Sequence, residues 1–376
     1  MPVTATQTAT GFFRKVRIMK KSILAKAFCT ILLGLTLSLF VSAVSREGCL
    51  NAIICYSTID YENADKTVLN SFSDANGLEE HISKIVSAAF EKGIINGYGD
   101  GTLRLENEVT RAEIACMIYR AKDYYPAFAE KLCESNVYED LSDWNADAIR
   151  YCMENGYMVG YGDAFGAEDI VTEDQLSVIV RRLRFGCNTR EKYFVRQLCG
   201  TSPIDLNAIF RSAYDEALKE NVFRAFPESA VSTNESAEVI KDRMETLFEK
   251  LGNLDYRKLA NEEYRADLEA NFRGNFGPDS FMGINSSTIR DITEQAIADK
   301  TVRESICVFS PTSCQAVSIM PGYTVTRAYG YEYFCEKSAE DGLNEEQWYR
   351  RTVKAEIDKS ATNVTLSCVY GEPEKI

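Results

Sequence analysis

His81 is the only histidine in the chain, and its isolation closes off most nucleophilic and zinc chemistry. A Ser-His-Asp or Cys-His site needs an imidazole beside its nucleophile, and zinc sites built on two or three histidines need more than one. Chemistry by carboxylates, lysines, tyrosines and cysteines stays open. The twelve cysteines include no C-x-x-C pair, which argues against zinc ribbons and thioredoxin-type redox sites. Cys307 with Cys314 and Cys335 with Cys368 are the pairs to test as disulfides. Cys116 and Cys152 fall on apolar helical positions and read as small buried hydrophobes, and most cysteines are expected to be unpaired. Asp100 and Asp163 sit in glycine-rich turns without the further oxygen ligands of an EF-hand loop. Paired carboxylates could hydrolyse glycosides, but no such pair stands out. No metal and no cofactor is implied.

The elements that position these residues repeat. Gly93-Ile94-Ile95-Asn96-Gly97-Tyr98-Gly99-Asp100 recurs 63 residues later as Gly156-Tyr157-Met158-Val159-Gly160-Tyr161-Gly162-Asp163. Upstream of each copy stand an aromatic and an Asp (Phe72, Asp74; Tyr138, Asp140), then an amphipathic helix, SKIVSAAFEK or ADAIRYCMEN. Downstream, Thr110 with Glu113 and Thr172 with Gln175 have the spacing of capping boxes, and apolar residues follow at helical intervals. Each unit therefore reads as helix, tight glycine loop, helix. One unit of about 50 residues cannot bury its own apolar faces, so copies should stack. A worn third copy is read in the helix SAYDEALKEN and in Thr233 to Met244, where the loop glycines are gone.

The flanking chain sets compartment and class. Residues 27–45 are uncharged, follow Lys20, Lys21 and Lys26, and contain the apolar run AFCTILLGLTLSLF. That is the layout of a signal peptide, with Met19 as the start and small residues at Val41-Ser42-Ala43 for cleavage after Ala43. Residues 1–43 are read as the leader and 44–67 as a linker; an uncleaved anchor helix is the alternative and would be the only membrane contact. Six of the 42 basic residues lie in that leader, so the rest carries 36 against 56 acidic residues. A chain so acidic is repelled by phosphate backbones, which disfavours nucleic acid as a partner. At 376 residues it is too long for one ordinary core.

Phe72-Ser73-Asp74 followed by GIINGYGDGTLRLENEVTRAE resembles the S-layer homology (SLH) domain of bacterial cell-envelope proteins. The resemblance spans about residues 68–246: repeat one at 68–125, repeat two at 134–186 and the degenerate third at 200–248. It implies an α-helical pseudo-trimer that holds an exported, non-catalytic protein on a secondary cell-wall polysaccharide, often one bearing pyruvate ketals. By position it implies Arg111 as the anion-binding residue, with Thr110 and Glu113 capping its helix. Gly97 and Tyr98, with Gly160 and Tyr161 in the second unit, would line the groove, and Trp144 would add an aromatic wall. An Arg fork, an aromatic face and loop N–H groups suit an acidic sugar. His81 takes Trp144's place in the first unit, as a groove-lining or packed substitute. The second and third copies depart at the Arg position, with Glu173 and Asn234, so one groove is expected to be fully competent.

Beyond about Leu251 the pattern changes. Residues 253–273 read as a long amphipathic helix, and a second helix capped by Ser286 or Ser287 runs to about Asp299. From Val302 onward period two takes over, in Tyr323, Val325, Tyr329, Tyr331 and Tyr333, in Val353, Ala355 and Ile357, and in Val364, Leu366 and Cys368. The expectation is a multidomain chain: helical SLH-like repeats, then an α+β domain with an antiparallel sheet over 253–376. The element order is similar to the cone-shaped fold of the nuclear transport factor type, in which a tyrosine ladder could line a pocket. The alternatives to wall binding are a spacer or interaction scaffold, and a His-independent envelope enzyme in the C-terminal domain.

Overall fold

The structure, a computed structural model, describes residues 43–125, 130–134, 138, 141–161, 164–216, 223, 225–268, 293–338, 346–360 and 364–376. The leader reading lies outside the described residues except at Ala43.

Among the described residues, one apolar core gathers α1 (Arg46–Cys55), α2 (Glu80–Glu91), α3 (Arg111–Arg120), α4 (Ala146–Glu154) and α5 (Glu173–Phe185), with Val195 added from the helix that follows. Leu50, Ile53, Ile85, Ile114, Met117, Ile149 and Ile179 meet there with Cys49, Cys116 and Cys152, the last two as the small buried hydrophobes expected. Capping boxes start α3 and α5, where the Thr110 hydroxyl accepts from Glu113 N and the Thr172 hydroxyl from Gln175 N. Ser45 caps α1 in the same way, accepting from Gly48 N. Just ahead of the three caps, three valines close a cycle of backbone bonds. Val44 N donates to Val171 O at 3.0 Å, Val171 N to Val109 O at 3.0 Å, and Val109 N to Val44 O at 3.1 Å. Each segment thereby satisfies orphan groups that a loop entering a core would otherwise leave unpaired.

Residues 44–67 were expected to be a linker, but α1 is part of the core and supplies the third helix start of this cycle. The expected third unit packs elsewhere. Helix α8 (Ala237–Gly252), capped by Ser236 rather than Thr233, sets Ile240, Met244, Leu247 and Phe248 against the sheet. Its apolar stripe packs on the sheet rather than on the first two units.

All strand pairings are antiparallel. Strand β5 (Tyr323–Ser338) carries β3 (Thr301–Phe309) and β4 (Gln315–Met320) along one edge and β6 (Trp348–Lys359) along the other; β6 continues to β7 (Val364–Tyr370) and β8 (Glu374–Lys375). Two short strands, β1 (Val231–Ser232) and β2 (Leu254–Asp255), flank β4 and β3. Alternation puts Cys307 and Phe309 under α8 and Ile306 and Val308 on the opposite face. That opposite face is covered by α6 (Thr189–Leu198) and α7 (Leu206–Glu216), whose Tyr193, Leu206 and Ile209 pack on Tyr331, Tyr333 and Trp348. The tyrosine ladder is thus roofed by helices instead of lining an open pocket. The long helix expected at 253–273 begins as β2, followed by the single turn α9 (Tyr256–Leu259) and a helix over 262–268; residues 269–292, with the proposed Ser286 or Ser287 cap, lie outside the described residues.

Polar bonds fasten the helical core to the sheet. Lys192 Nζ bridges Glu130 (2.8 Å) and Glu304 (2.7 Å), and the Tyr193 hydroxyl donates to Glu304 at 2.6 Å. Burial alone would lower the lysine, but the two carboxylates hold its pKa above the ordinary value. Cys133 and Cys199 form a disulfide across the same junction, whereas Cys307, Cys314, Cys335 and Cys368 are free. Both expected pairs therefore give way to one the spacing did not suggest; Cys335 on β5 and Cys368 on β7 are separated by β6. Among the described residues no helix is long and apolar enough to cross a membrane.

Candidate functional site

The glycine loops are built from within their own units. In the first, the Asp74 carboxylate accepts from Leu103 N (2.9 Å) and Arg104 N (2.8 Å), which fixes the end of the loop and explains the aromatic-then-Asp signature. Phe72 packs edge-on against Phe90 and presses on Gly97, where a Cβ would lie 2.1 Å from its ring. Gly160 is enclosed more tightly: a Cβ there would stand 2.3 Å from Ala164 O, and its N–H donates to the Tyr138 hydroxyl at 2.6 Å. Close approach of neighbouring atoms requires glycine at both positions. Asp100 is a turn residue as expected. Its bonds to the Thr102 hydroxyl and to Arg104 hold its pKa down to about 2.

The valine cycle brings the starts of α1 and α3 each against the loop of the following unit, and this changes the partners. Arg111, the first residue of α3, does not meet Tyr98. It lies beneath Tyr161 and Phe165, with its Cζ 4.8 and 4.6 Å from the two ring centres. Its guanidinium donates to Val159 O at 2.6 Å and Phe165 O at 3.2 Å, and the residue is 5 % exposed. The residue beside Tyr98 is Arg46, the first of α1, with its Cζ 5.4 Å from the ring centre. The same three-part arrangement therefore occurs twice. In one copy Arg46 meets Tyr98, whose hydroxyl donates to Glu113 at 3.4 Å; in the other Arg111 meets Tyr161, whose hydroxyl accepts from Gln175 Nε2 at 3.1 Å. Glu113 and Gln175 are the third residues of the two capping boxes, so one side chain both holds the helix start and orients the tyrosine.

The two copies differ in what their arginine has left to give. Arg111 is tied to two carbonyls. Arg46 makes no side-chain hydrogen bond among the described residues; its Nε is buried without a partner, and its nearest carboxylate oxygen, on Glu113, is 3.8 Å away. A second cation, Arg104, stacks on Tyr98 at 4.0 Å while paired to Asp100 at 2.8 Å. The third helix start offers Glu173 in place of an arginine, over a cleft lined by Ser45, Gly48, Tyr56, Leu176 and Arg184. Tyr161 is 57 % exposed and Trp144 58 %. The Trp144 backbone lies against Cys116 of α3, and its exposed ring makes no stacking contact with Tyr98, Tyr161 or either arginine among the described residues. His81 stands on the outer face of α2, exposed, 3.3 Å from Asn51 of α1 and edge-on to Tyr61.

Arg46 was legible in principle: Val44-Ser45-Arg46-Glu47 echoes Val109-Thr110-Arg111, at a spacing close to that of the main repeat. Its place just after the segment read as a leader hid it. No curated protein matches the chain. A family model described as the S-layer homology domain matches residues 71–115, from the start of the first unit's Phe-Ser-Asp signature into α3. The chain therefore contains, over residues 71–115, an S-layer homology segment, a kind of domain that binds and anchors at the cell surface rather than catalysing a reaction.

Proposed function

We propose that the helical core attaches an exported protein to an acidic secondary cell-wall polysaccharide and displays the sheet domain from that surface. The observation that carries this reading is the repeated set of arginine, loop tyrosine and capping-box side chain. A guanidinium beneath a tyrosine face suits a sugar ring that bears a carboxylate, including a pyruvate ketal, because the fork binds the anion and the ring takes the apolar sugar face. Of the two sets, the Arg46–Tyr98 groove is the stronger binder, since its arginine has unused donors; in the Arg111–Tyr161 set, Tyr161 and the loop around Gly160 form the contact surface while Arg111 holds them in place. The valine cycle with three capped helix starts supports a pseudo-trimer whose third member is α1.

Co-sedimentation of the chain with cell-wall sacculi, before and after removal of the secondary polymer, tests this. Binding that vanishes with the polymer is the expected result. Equal recovery from stripped sacculi would favour the scaffold reading, which the internally occupied Arg111 and the Glu173 substitution motivate.

A further inference from the structure

The edges of the sheet are treated unequally. β1, of two residues, borders β4, and β2, also of two, borders β3. Beyond β2 the backbone of β3 is met by side chains: Ser305 N donates to Asn253 Oδ1 at 2.7 Å, Phe309 N to Glu245 Oε1 at 3.0 Å, and Cys307 O accepts from Arg190 at 2.6 Å. β7 runs for seven residues and pairs only β6 among the described residues. Its register is continuous, from Val364 opposite Lys359 to Tyr370 opposite Val353. Gly371 N, next along the chain, donates to Thr352 O at 3.0 Å. In an antiparallel pair such bonds fall on alternate residues. Thr365, Ser367 and Val369 therefore bond to β6, and the N–H and C=O of Val364, Leu366, Cys368 and Tyr370 point outward. Natural edges are blunted by charge, proline or a bulge, and this strand has none of the three. Ser367 is exposed, Val369 is 65 % exposed and Tyr370 42 %.

We propose that β7 is the pairing edge for a second copy of this chain, joined antiparallel across a two-fold axis at Ser367. In that register Leu366 meets Cys368 of the second copy and Val364 meets Tyr370, so every outward N–H and C=O of the strand finds a partner. A shift by two residues leaves a pair unmade at each end, and a shift by one sets outward groups against inward ones. The side chains suit self-pairing as well: exposed Ser367 faces its own equivalent, and half-buried Leu366 and Cys368 face each other. With a net charge of −14, most surfaces of two copies repel, but this strand brings no charge to the axis. The sheet would run on from one molecule into the next, and the pair would carry two helical cores, so that attachment by each reinforces the other.

The test is sedimentation equilibrium of the full chain under reducing conditions, at concentrations on the order of 1–100 µM. A contact of one strand is small, so a dimer that dissociates in the micromolar range is expected. Ser367→Lys sets two like charges on the axis and should weaken the dimer by about tenfold or more. Ser367→Glu should do the same, and an equimolar mixture of the two variants should restore pairing. Ser232→Lys, on β1, should leave it unchanged. Directly opposed residues of a non-bonded pair stand about 4.5 Å apart at Cα, so Ser367→Cys should give a covalent dimer on mild oxidation that the parent chain does not. A monomer at every concentration, a dimer that Ser367→Lys leaves intact, no recovery in the mixture, or a Ser367→Cys chain that stays uncrosslinked would overturn the proposal. All of these variants lie in the sheet domain, so the outcome is independent of the polymer reading.

Discussion

Two arginines that look interchangeable in sequence have different tasks. Arg111 bonds two carbonyls, Val159 O and Phe165 O, and fixes the loop of the second unit. Its replacement by Ala removes the donors to Val159 O and Phe165 O and is expected to destabilise the chain by about 2–4 kcal/mol, read as a drop in the denaturant midpoint. Arg46, with no side-chain hydrogen bond among the described residues, should cost less than about 1–2 kcal/mol when truncated while weakening polymer binding. Equal stability losses in the two variants would contradict this division. The carboxylate of Glu191 makes a second residue-scale prediction. Burial alone would raise it, but Arg182 and Arg181 hold it below the ordinary glutamate value. A carboxyl lowered in the folded state adds stability that is present above the unfolded value and lost as pH falls through the folded one. Stability should therefore decline below about pH 4, and Glu191→Gln should flatten that acid limb of the pH–stability curve; an unchanged limb would sink the assignment.

Helix starts organise the next scale. Ser45, Thr110 and Thr172 each cap a helix immediately after a valine of the backbone cycle, so the caps set where three helices converge. Thr110→Ala should cost about 1 kcal/mol by removing the acceptor of Glu113 N and, by fraying the turn that carries the Glu113 carboxylate, loosen the Tyr98 hydroxyl that donates to it. Thermal unfolding with and without polymer would show both effects; a purely structural cap would move only the first. The capping boxes, the glycine loops and the period-two strands were legible because each rests on a local rule: a side chain reaching three residues back, a turn that admits no Cβ, alternation across a sheet. The partner of each arginine was not. Which loop meets which helix start depends on the closed cycle, a long-range feature that no spacing within one unit encodes. The third repeat misled for the same reason, since an amphipathic stripe fits a sheet as well as a neighbouring helix.

At the scale of the whole molecule, a helical core and a helix-clad sheet meet across a charged seam pinned by Cys133–Cys199. The bond spans a sequence separation of 66, so chain-entropy arguments give it on the order of 4 kcal/mol. Reduction should lower the melting temperature by on the order of 5 °C, and Cys199→Ser should reproduce the shift without reductant; no change in either would remove the bond from the account. The central claim is that the Arg46–Tyr98 and Arg111–Tyr161 sets together hold an acidic wall polymer. Its most direct test is titration of the purified secondary polymer into the chain, Arg46→Ala and the double variant Arg46→Ala with Tyr161→Ala. The prediction is salt-sensitive binding in the parent chain, about tenfold weaker in the single variant and abolished in the double. Binding of equal strength in all three would contradict it.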